Sequence, residues 1–350
     1  MAIYWHKTCE VNCSQKPPSS PMNQVFTSTA VNCTISAENQ QFYADVIAGL
    51  QSEPKHLNSK YFYDANGDKL FQELMNCPEY YPTNCELEIF SEKTAEICDA
   101  LIADGDAFDL IELGAGDATK STYLLKYLLD KKADFTYLPI DISDNVISYL
   151  NITLPVTLPG LKITGLNGEY FEMLNKAATI SPRRKVVLFL GSNIGNMPLD
   201  VAIEFCRELR NNLSEGDMVL IGMDLKKDPR VILAAYNDKD GITREFNLNL
   251  LRRINRELHA DFDVSKFEHY PTYDPETGAC KSYLISLQDQ QVTIGNEKID
   301  FKKDEYIYME ISQKFTLMQT DQIAINTGFQ PVGQFFDTKK WFIDAVWVAA

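Results

Sequence analysis

Asp109-Leu110-Ile111-Glu112-Leu113-Gly114-Ala115-Gly116-Asp117-Ala118-Thr119-Lys120 is the stretch on which the fold turns. An apolar run from Phe108 to Leu113 enters a glycine turn, and Lys120 to Leu129 then continues in a helix-compatible pattern. A buried strand, a glycine turn and a helix in that order form the opening unit of a nucleotide-type α/β domain, and the missing side chains let a ligand approach the backbone. A dinucleotide fingerprint would place a third glycine at position 119, where Thr119 stands. Gly-x-Gly after the acidic Glu112 favours instead a site for S-adenosylmethionine, which has no pyrophosphate to cradle, although a plain tight turn would read the same way.

Working outward, strand-like runs recur at Phe135 to Ile140, Leu161 to Leu166, Lys185 to Leu190 and Met218 to Gly222, with helical stretches such as Val201 to Leu213 between them. That alternation predicts a parallel, doubly wound sheet. Before it, Ala37 to Leu50, Lys69 to Leu74 and Glu86 to Leu101 have helical spacing. After Asp224 the rhythm breaks into helices at Arg230 to Tyr236 and Thr243 to Leu258, alternating segments at Lys281 to Leu287 and Tyr306 to Phe315, a helix near Thr320 to Thr327 and a last strand, Phe342 to Ala349. The expected division is a disordered tail over 1–23, with Met22 a second candidate start, a substrate-binding domain from 24–88 plus 226–318, and a nucleotide-type domain from 89–225 plus 319–350.

Composition narrows the classes. The 350 residues carry 33 Lys and Arg against 49 Asp and Glu, a net charge of −16 that repels phosphate backbones and anionic lipid. No apolar run approaches the roughly 20 residues needed to span a bilayer. The eight cysteines, Cys9, Cys13, Cys33, Cys77, Cys85, Cys98, Cys206 and Cys280, include no C-x-x-C pair, and His6, His56, His259 and His269 show no ligand spacing, so no metal is expected. Free thiols in a reducing cytoplasm, a small-molecule substrate, and neither nucleic acid nor membrane as partner are the expectations.

Ligands of such sheets bind beyond the carboxyl ends of the strands. There the sequence places Asp141, suited to accept from two ribose hydroxyls, then Glu169 and Tyr170, an acid and a ring for adenine, and the segment Gly191-Ser192-Asn193-Ile194-Gly195-Asn196. Gly191 is expected to bring backbone close to a ligand, and Asn196 either contacts it or caps the helix that follows.

These residues carry a specific resemblance. Lys60-Tyr61-Phe62-Tyr63-Asp64, Pro78-Glu79-Tyr80-Tyr81-Pro82-Thr83, Phe189 to Asn196, Asp224-Leu225-Lys226-Lys227-Asp228-Pro229, Ala235-Tyr236, Phe246-Asn247, Asn255-Arg256-Glu257-Leu258, Phe267-Glu268-His269 and Glu310-Ile311-Ser312-Gln313-Lys314-Phe315 resemble, in order, the histidine-specific N-alpha-methyltransferases of ergothioneine biosynthesis. The resemblance implies a Rossmann-like class I methyltransferase domain with a second, discontinuous α+β substrate-binding domain. It implies that Gly114, Lys120 and Asp141 bind S-adenosylmethionine, with Glu169 and Tyr170 beside the adenine where the family usually has Asp and Phe. Tyr80, Asn196 and Tyr236 would hold the amino acid's carboxylate and amine, with Tyr63 near the amine as the expected catalytic residue, and Glu310 and Ser312 would bond the imidazole.

Residue chemistry agrees. Glu310 and Ser312 lie on one face of a strand, because alternate residues point the same way. A carboxylate accepts from one ring N–H, and a hydroxyl donates to or accepts from the other nitrogen. Ser282 stands where the family carries methionine against the imidazole, which opens the site to tryptophan or another amino acid. A buried Glu310 favours a side chain that donates. A non-catalytic protein that binds S-adenosylmethionine is the alternative from another class, opposed by the intact set Gly114, Lys120, Asp141, Asn196, Tyr236 and Glu310.

Overall fold

The computed structural model describes residues 36, 39–102 and 106–350; the tail expected over 1–23 lies outside them. Its centre is a seven-stranded sheet in the order β11-β12-β5-β4-β1-β2-β3. The strands are β1 (Phe108–Leu113), β2 (Phe135–Asp141), β3 (Leu166–Asn167), β4 (Arg184–Phe189), β5 (Met218–Asp224), β11 (Phe329–Phe336) and β12 (Phe342–Ala349). β1 to β5 pair in parallel, and β12 runs antiparallel between β5 and β11. Every residue of β1 and β5 is buried, as expected of central strands covered on both faces. One face packs on α3 (Tyr81–Leu101), α4 (Ser121–Asp130), α5 (Asp144–Thr157) and α8 (Pro229–Ala235). The other packs on α6 (Tyr170–Ile180), α7 (Leu199–Asn211) and α10 (Leu317–Asn326).

Two expectations about strands change. The run at 161–166 forms a ladder only at Leu166 and Asn167, with an isolated bridge from Ile163 to Tyr137. The Gly165 N–H turns to the Asn151 side chain at 3.1 Å instead of to β2. β11 is not anticipated at all, because Pro331 and Gly333 disguise it; both are tolerated on this edge strand at a register shift.

A further core surrounds α1 (Gln40–Gln51), α9 (Ile242–Leu258) and the three-stranded antiparallel sheet β10-β7-β6. This sheet comprises β6 (Phe267–Tyr273), β7 (Ala279–Ser286) and β10 (Tyr306–Gln313), and a hairpin of β8 (Gln290–Ile294) and β9 (Glu297–Phe301) adjoins it. The end of β10 is stitched to the end of β5: Phe315 N–H donates to the Asp224 carbonyl at 2.9 Å, and Lys226 N–H to the Phe315 carbonyl at 2.8 Å. The short helical turn Asn193–Asn196 is pressed against the same strand, so that a Cβ on Gly195 would lie 2.8 Å from the Gln313 carbonyl oxygen. Only glycine permits that approach.

The Asp224 side chain is fully buried at this joint and accepts from Lys314 Nζ at 2.7 Å, from Tyr81 Oη at 2.7 Å and from Lys227 Nζ. Burial works to raise its pKa, but the two ammonium groups outweigh it and hold the carboxyl below its ordinary value. The stabilisation is therefore complete above roughly pH 3.9 and is lost as pH falls through the lower, folded value. Asp224→Asn should lower the free energy of unfolding at pH 7 by about 3–5 kcal/mol in urea titrations, since it leaves buried cations uncompensated. A change below about 1 kcal/mol would show that the ionic joint is dispensable.

Candidate functional site

The loops that leave β1, β2, β4 and β5 open on one edge of the large sheet, and the small sheet and α9 stand over that edge. Gly114 takes φ +72° at the end of β1, and its N–H donates to the Ile140 carbonyl at 2.8 Å. Asp141, buried at the end of β2, accepts from Ser143 N–H at 2.9 Å and from Gly116 N–H at 3.3 Å. Burial raises its pKa, and those backbone donors oppose the shift. Glu169 occupies the position before α6, exposed and without a side-chain capping bond. The Tyr170 ring packs edge-on against Phe189 and Phe205, and its buried hydroxyl has no hydrogen-bond partner. A Cβ on Gly114 would stand 2.6 Å from that hydroxyl.

Lys120, before the first turn of α4, is held by an acid that sequence reading overlooked. The fully buried Glu86 carboxylate on α3 pairs with Lys120 Nζ and accepts the Gly191 N–H at 2.7 and 3.0 Å. Burial opposes the ammonium charge, but Glu86 prevails and the Lys120 pKa rises. Gly222 on β5 makes room, since a Cβ there would fall 2.2 Å from Glu86 Oε1. Beside them burial, then the Glu86 charge, pushes the Asp344 carboxyl far above the ordinary range. That shift favours the protonated form of Asp344 and so lessens its repulsion of Glu86. Gly191 itself takes φ +73°.

The substrate end is aromatic above and polar below. Tyr63 meets Phe71 and Phe246 edge to face, and Tyr80 meets Phe71 and Tyr236. Burial, reinforced by the Glu310 charge, raises the Tyr63 pKa, so its phenol stays protonated and can orient a partner without acting as a base. Glu310 on β10 accepts from Asn247 Nδ2 at 3.2 Å. Burial raises its pKa against the opposition of Asn247, Ser282 and Lys314. Ser282 is opposite Glu310 in the β7–β10 register, its buried hydroxyl lacking a hydrogen bond of normal geometry. Tyr236 Oη donates to Ser312 Oγ at 2.6 Å. Asn196 sits in the turn between Ser192 and Met197, its amide 3.5 Å from Asn193 Oδ1, and α7 is capped by Pro198 instead.

The two ends face each other: Asp141 and Tyr63 both bear on the charge state of Tyr170, and Asp141 on that of Asp68 in α2 (Ala65–Met75). Asp141, Tyr63 and Tyr170 are thus neighbours where the two groups of candidate residues adjoin. Sequence reading missed Glu86, Asp344, Asp224, Lys227, Tyr81, Asn247 and Lys314. Lys314 alone had a visible signal, because Glu310, Ser312 and Lys314 alternate onto one strand face.

The cofactor end fits S-adenosylmethionine: a glycine turn that a side chain would fill, an unsatisfied Tyr170 hydroxyl, a strand-end carboxylate and a buried ammonium. Among the described residues no cluster of potential metal ligands occurs, and no helix is long and apolar enough to cross a membrane.

Comparison with known proteins agrees. Residues 42–349 match the family model described as histidine-specific methyltransferase, SAM-dependent. Histidine N-alpha-methyltransferase of Mycolicibacterium smegmatis is 37% identical over 273 residues, covering 77% of this chain and 83% of that protein. Its counterpart in Mycobacterium tuberculosis is 36% identical over 275 residues, covering 77% of this chain and 83% of that protein. Ergothioneine biosynthesis protein 1 of Schizosaccharomyces pombe is 27% identical over 81% of this chain, a match that spans 37% of that larger protein. A glycine turn with a strand-end acid, set under an aromatic and carboxylate cleft, is what such a sequence builds, and the chain belongs to the family of histidine-specific, S-adenosylmethionine-dependent methyltransferases.

Proposed function

We propose that this chain methylates the α-amine of L-histidine with S-adenosylmethionine, successively to the trimethylated betaine, the first step of ergothioneine biosynthesis. The observation that carries the reading is the pair Glu310 and Ser312, an acceptor and a hydroxyl two residues apart on β10 and both half-buried beside Asn247 and Tyr236. The family and its relatives support it. We assign cofactor binding to Gly114, Lys120, Asp141, Glu169, Tyr170 and Gly191, and amino-acid binding to Tyr80, Asn196, Tyr236, Ser282, Glu310 and Ser312. In this reading 24–88 plus 226–318 binds the amino acid, and 89–225 plus 319–350 binds the cofactor. The five described cysteines are free thiols, which supports a reducing cytoplasm.

The bound cofactor supplies a methyl group already activated on a sulfonium. The protein's task is to hold an unprotonated amine lone pair about 3–3.5 Å from that carbon and in line with the breaking bond. Asn196 and Tyr80 anchor the carboxylate side, away from the nitrogen that grows with each methyl, and Tyr236, whose one proton goes to Ser312, backs Tyr80 in that wall. Tyr63, protonated, orients the amine directly or through water, and the aromatic wall of Tyr63, Phe71 and Phe246 excludes bulk solvent.

A second reading, methylation of tryptophan or a related amino acid, draws on Ser282. The smaller side chain leaves room beside Glu310, and an indole N–H would satisfy that carboxylate while leaving Ser312 unanswered.

Incubation with S-adenosylmethionine and an equimolar mixture of the twenty amino acids should shift histidine alone by three methyl masses in the mass spectrum. Methylation of another amino acid would assign the specificity to Ser282, and methylation of none would end the enzymatic reading. Glu310→Gln should lower kcat/KM for L-histidine about 10- to 100-fold, chiefly through KM, because one charge-assisted hydrogen bond is lost. Cofactor affinity measured by calorimetry should be unchanged; a cofactor defect would place Glu310 elsewhere. Tyr63→Phe should lower kcat about tenfold with the fold intact. Wild-type kcat and KM across pH in that variant would remove Tyr63 from the mechanism.

A further inference from the structure

Lys314 is the third polar residue on the Glu310 and Ser312 face, and only 1% of its surface is exposed. An ammonium has three N–H donors and no acceptor. Lys314 spends all three inside the protein, on Asp224 Oδ2 at 2.7 Å, Tyr236 Oη at 2.7 Å and Ser312 Oγ at 2.8 Å. It therefore has nothing left with which to touch a substrate. Its effect passes through Ser312.

A serine hydroxyl offers two lone pairs and one proton. At Ser312 one lone pair receives Lys314 and the other receives Tyr236 Oη. Only the proton remains, so toward the cleft Ser312 is a donor and nothing else. Glu310, two residues back along the strand, is an acceptor while ionised. The cleft wall thus presents a fixed acceptor and a fixed donor separated by about 7 Å of strand. A ring that answers both carries N–H on one side and a bare nitrogen on the other.

Resting on the histidine reading above, we infer that Lys314 is a positioning residue that polarises Ser312 as a donor, and that the site thereby takes the neutral imidazole ring in a single tautomer. Imidazolium has two N–H groups and would set one of them against the Ser312 proton. Indole has no bare nitrogen and would leave that proton unpaired in the cleft. Glu310 alone would favour the imidazolium, so the choice is a contest between its charge and the Lys314 donor set. Around Lys314 the ionisable groups are Asp224 and Lys227 at the β5 end, Tyr80 and Tyr81 at the start of α3, Tyr236 after α8, and Tyr273, Cys280 and Glu310 on the small sheet.

The test compares kcat/KM for L-histidine with that for β-(1,2,4-triazol-3-yl)-L-alanine, whose ring has an N–H and bare nitrogens and stays neutral from pH 5.5 to 7.5. Protonation of the α-amine and of Glu310 affects both substrates and cancels in the ratio. In the wild type the histidine-to-triazole ratio should fall about fivefold between pH 6.5 and 5.5 as the imidazole ring protonates. In Lys314→Met a lone pair on Ser312 is released to accept from imidazolium, and the ratio should stay within about twofold over the same range. Ser312→Ala, which leaves Lys314 its bonds to Asp224 and Tyr236, should flatten the ratio as well and carries the test if Lys314→Met does not fold. A flat wild-type ratio, or a wild-type slope in either folded variant, overturns the inference while histidine methylation stands. A wild type that methylates no histidine at any pH overturns both.

Discussion

Asp224 is the residue at which the large sheet and the small sheet are joined through both backbone and side chain. Its backbone N–H donates to the Ser192 hydroxyl at 3.0 Å, its carbonyl accepts from Phe315 N–H, and its side chain accepts from Tyr81, Lys227 and Lys314. One residue thus joins the end of β5, the turn after β4, the start of α3 and the extension of β10. A lone buried carboxylate would be costly, and two ammonium groups with a phenol make it tolerable. The excess positive charge is met nearby by Glu310, so two cations and two anions share the substrate end. At the cofactor end Lys120 pairs with Glu86, and burial with the Glu86 charge favours the protonated form of Asp344 beside them.

The large sheet was legible because its central strands are continuous apolar runs and its first turn is written in glycines. β1, β2, β4, β5 and β12 sit within a residue or two of where the apolar pattern places them. Local pattern fails where tertiary contact decides: Pro331 and Gly333 conceal β11, and at 161–166 the side chain of Asn151 captures a backbone group that a strand would have used. The antiparallel direction of β12 was invisible too, since the apolar run reads the same both ways.

The site divides in the same manner. Residues at strand ends, such as Asp141 and Gly191, become candidates through the rule for ligand position, and Glu310 with Ser312 through strand alternation. Those that brace them are missed because their partners are remote in sequence. Glu86 lies 105 residues from the Gly191 N–H it accepts, and Lys314 lies 78 from the Tyr236 hydroxyl it fixes. Neither pairing leaves a spacing to read. A glutamate within a long amphipathic helix and a lysine at the end of a strand look like surface residues until the fold buries them.

Helix α3 explains why those bracing residues matter to methyl transfer. Tyr81 at its first turn reaches the substrate end through Asp224, and Glu86, five residues on, reaches the cofactor end through Lys120 and Gly191. Five residues of helix rise about 7.5 Å and do not stretch. The distance between the two ends of the cleft is therefore set by one rigid element, anchored at both points by buried ionic groups. An in-line displacement tolerates little error in that distance, since an ångström of misplacement costs on the order of 100-fold in rate. On the proposed assignment, the same buried charges that make the interior expensive to assemble would hold methyl donor and amine at reacting distance.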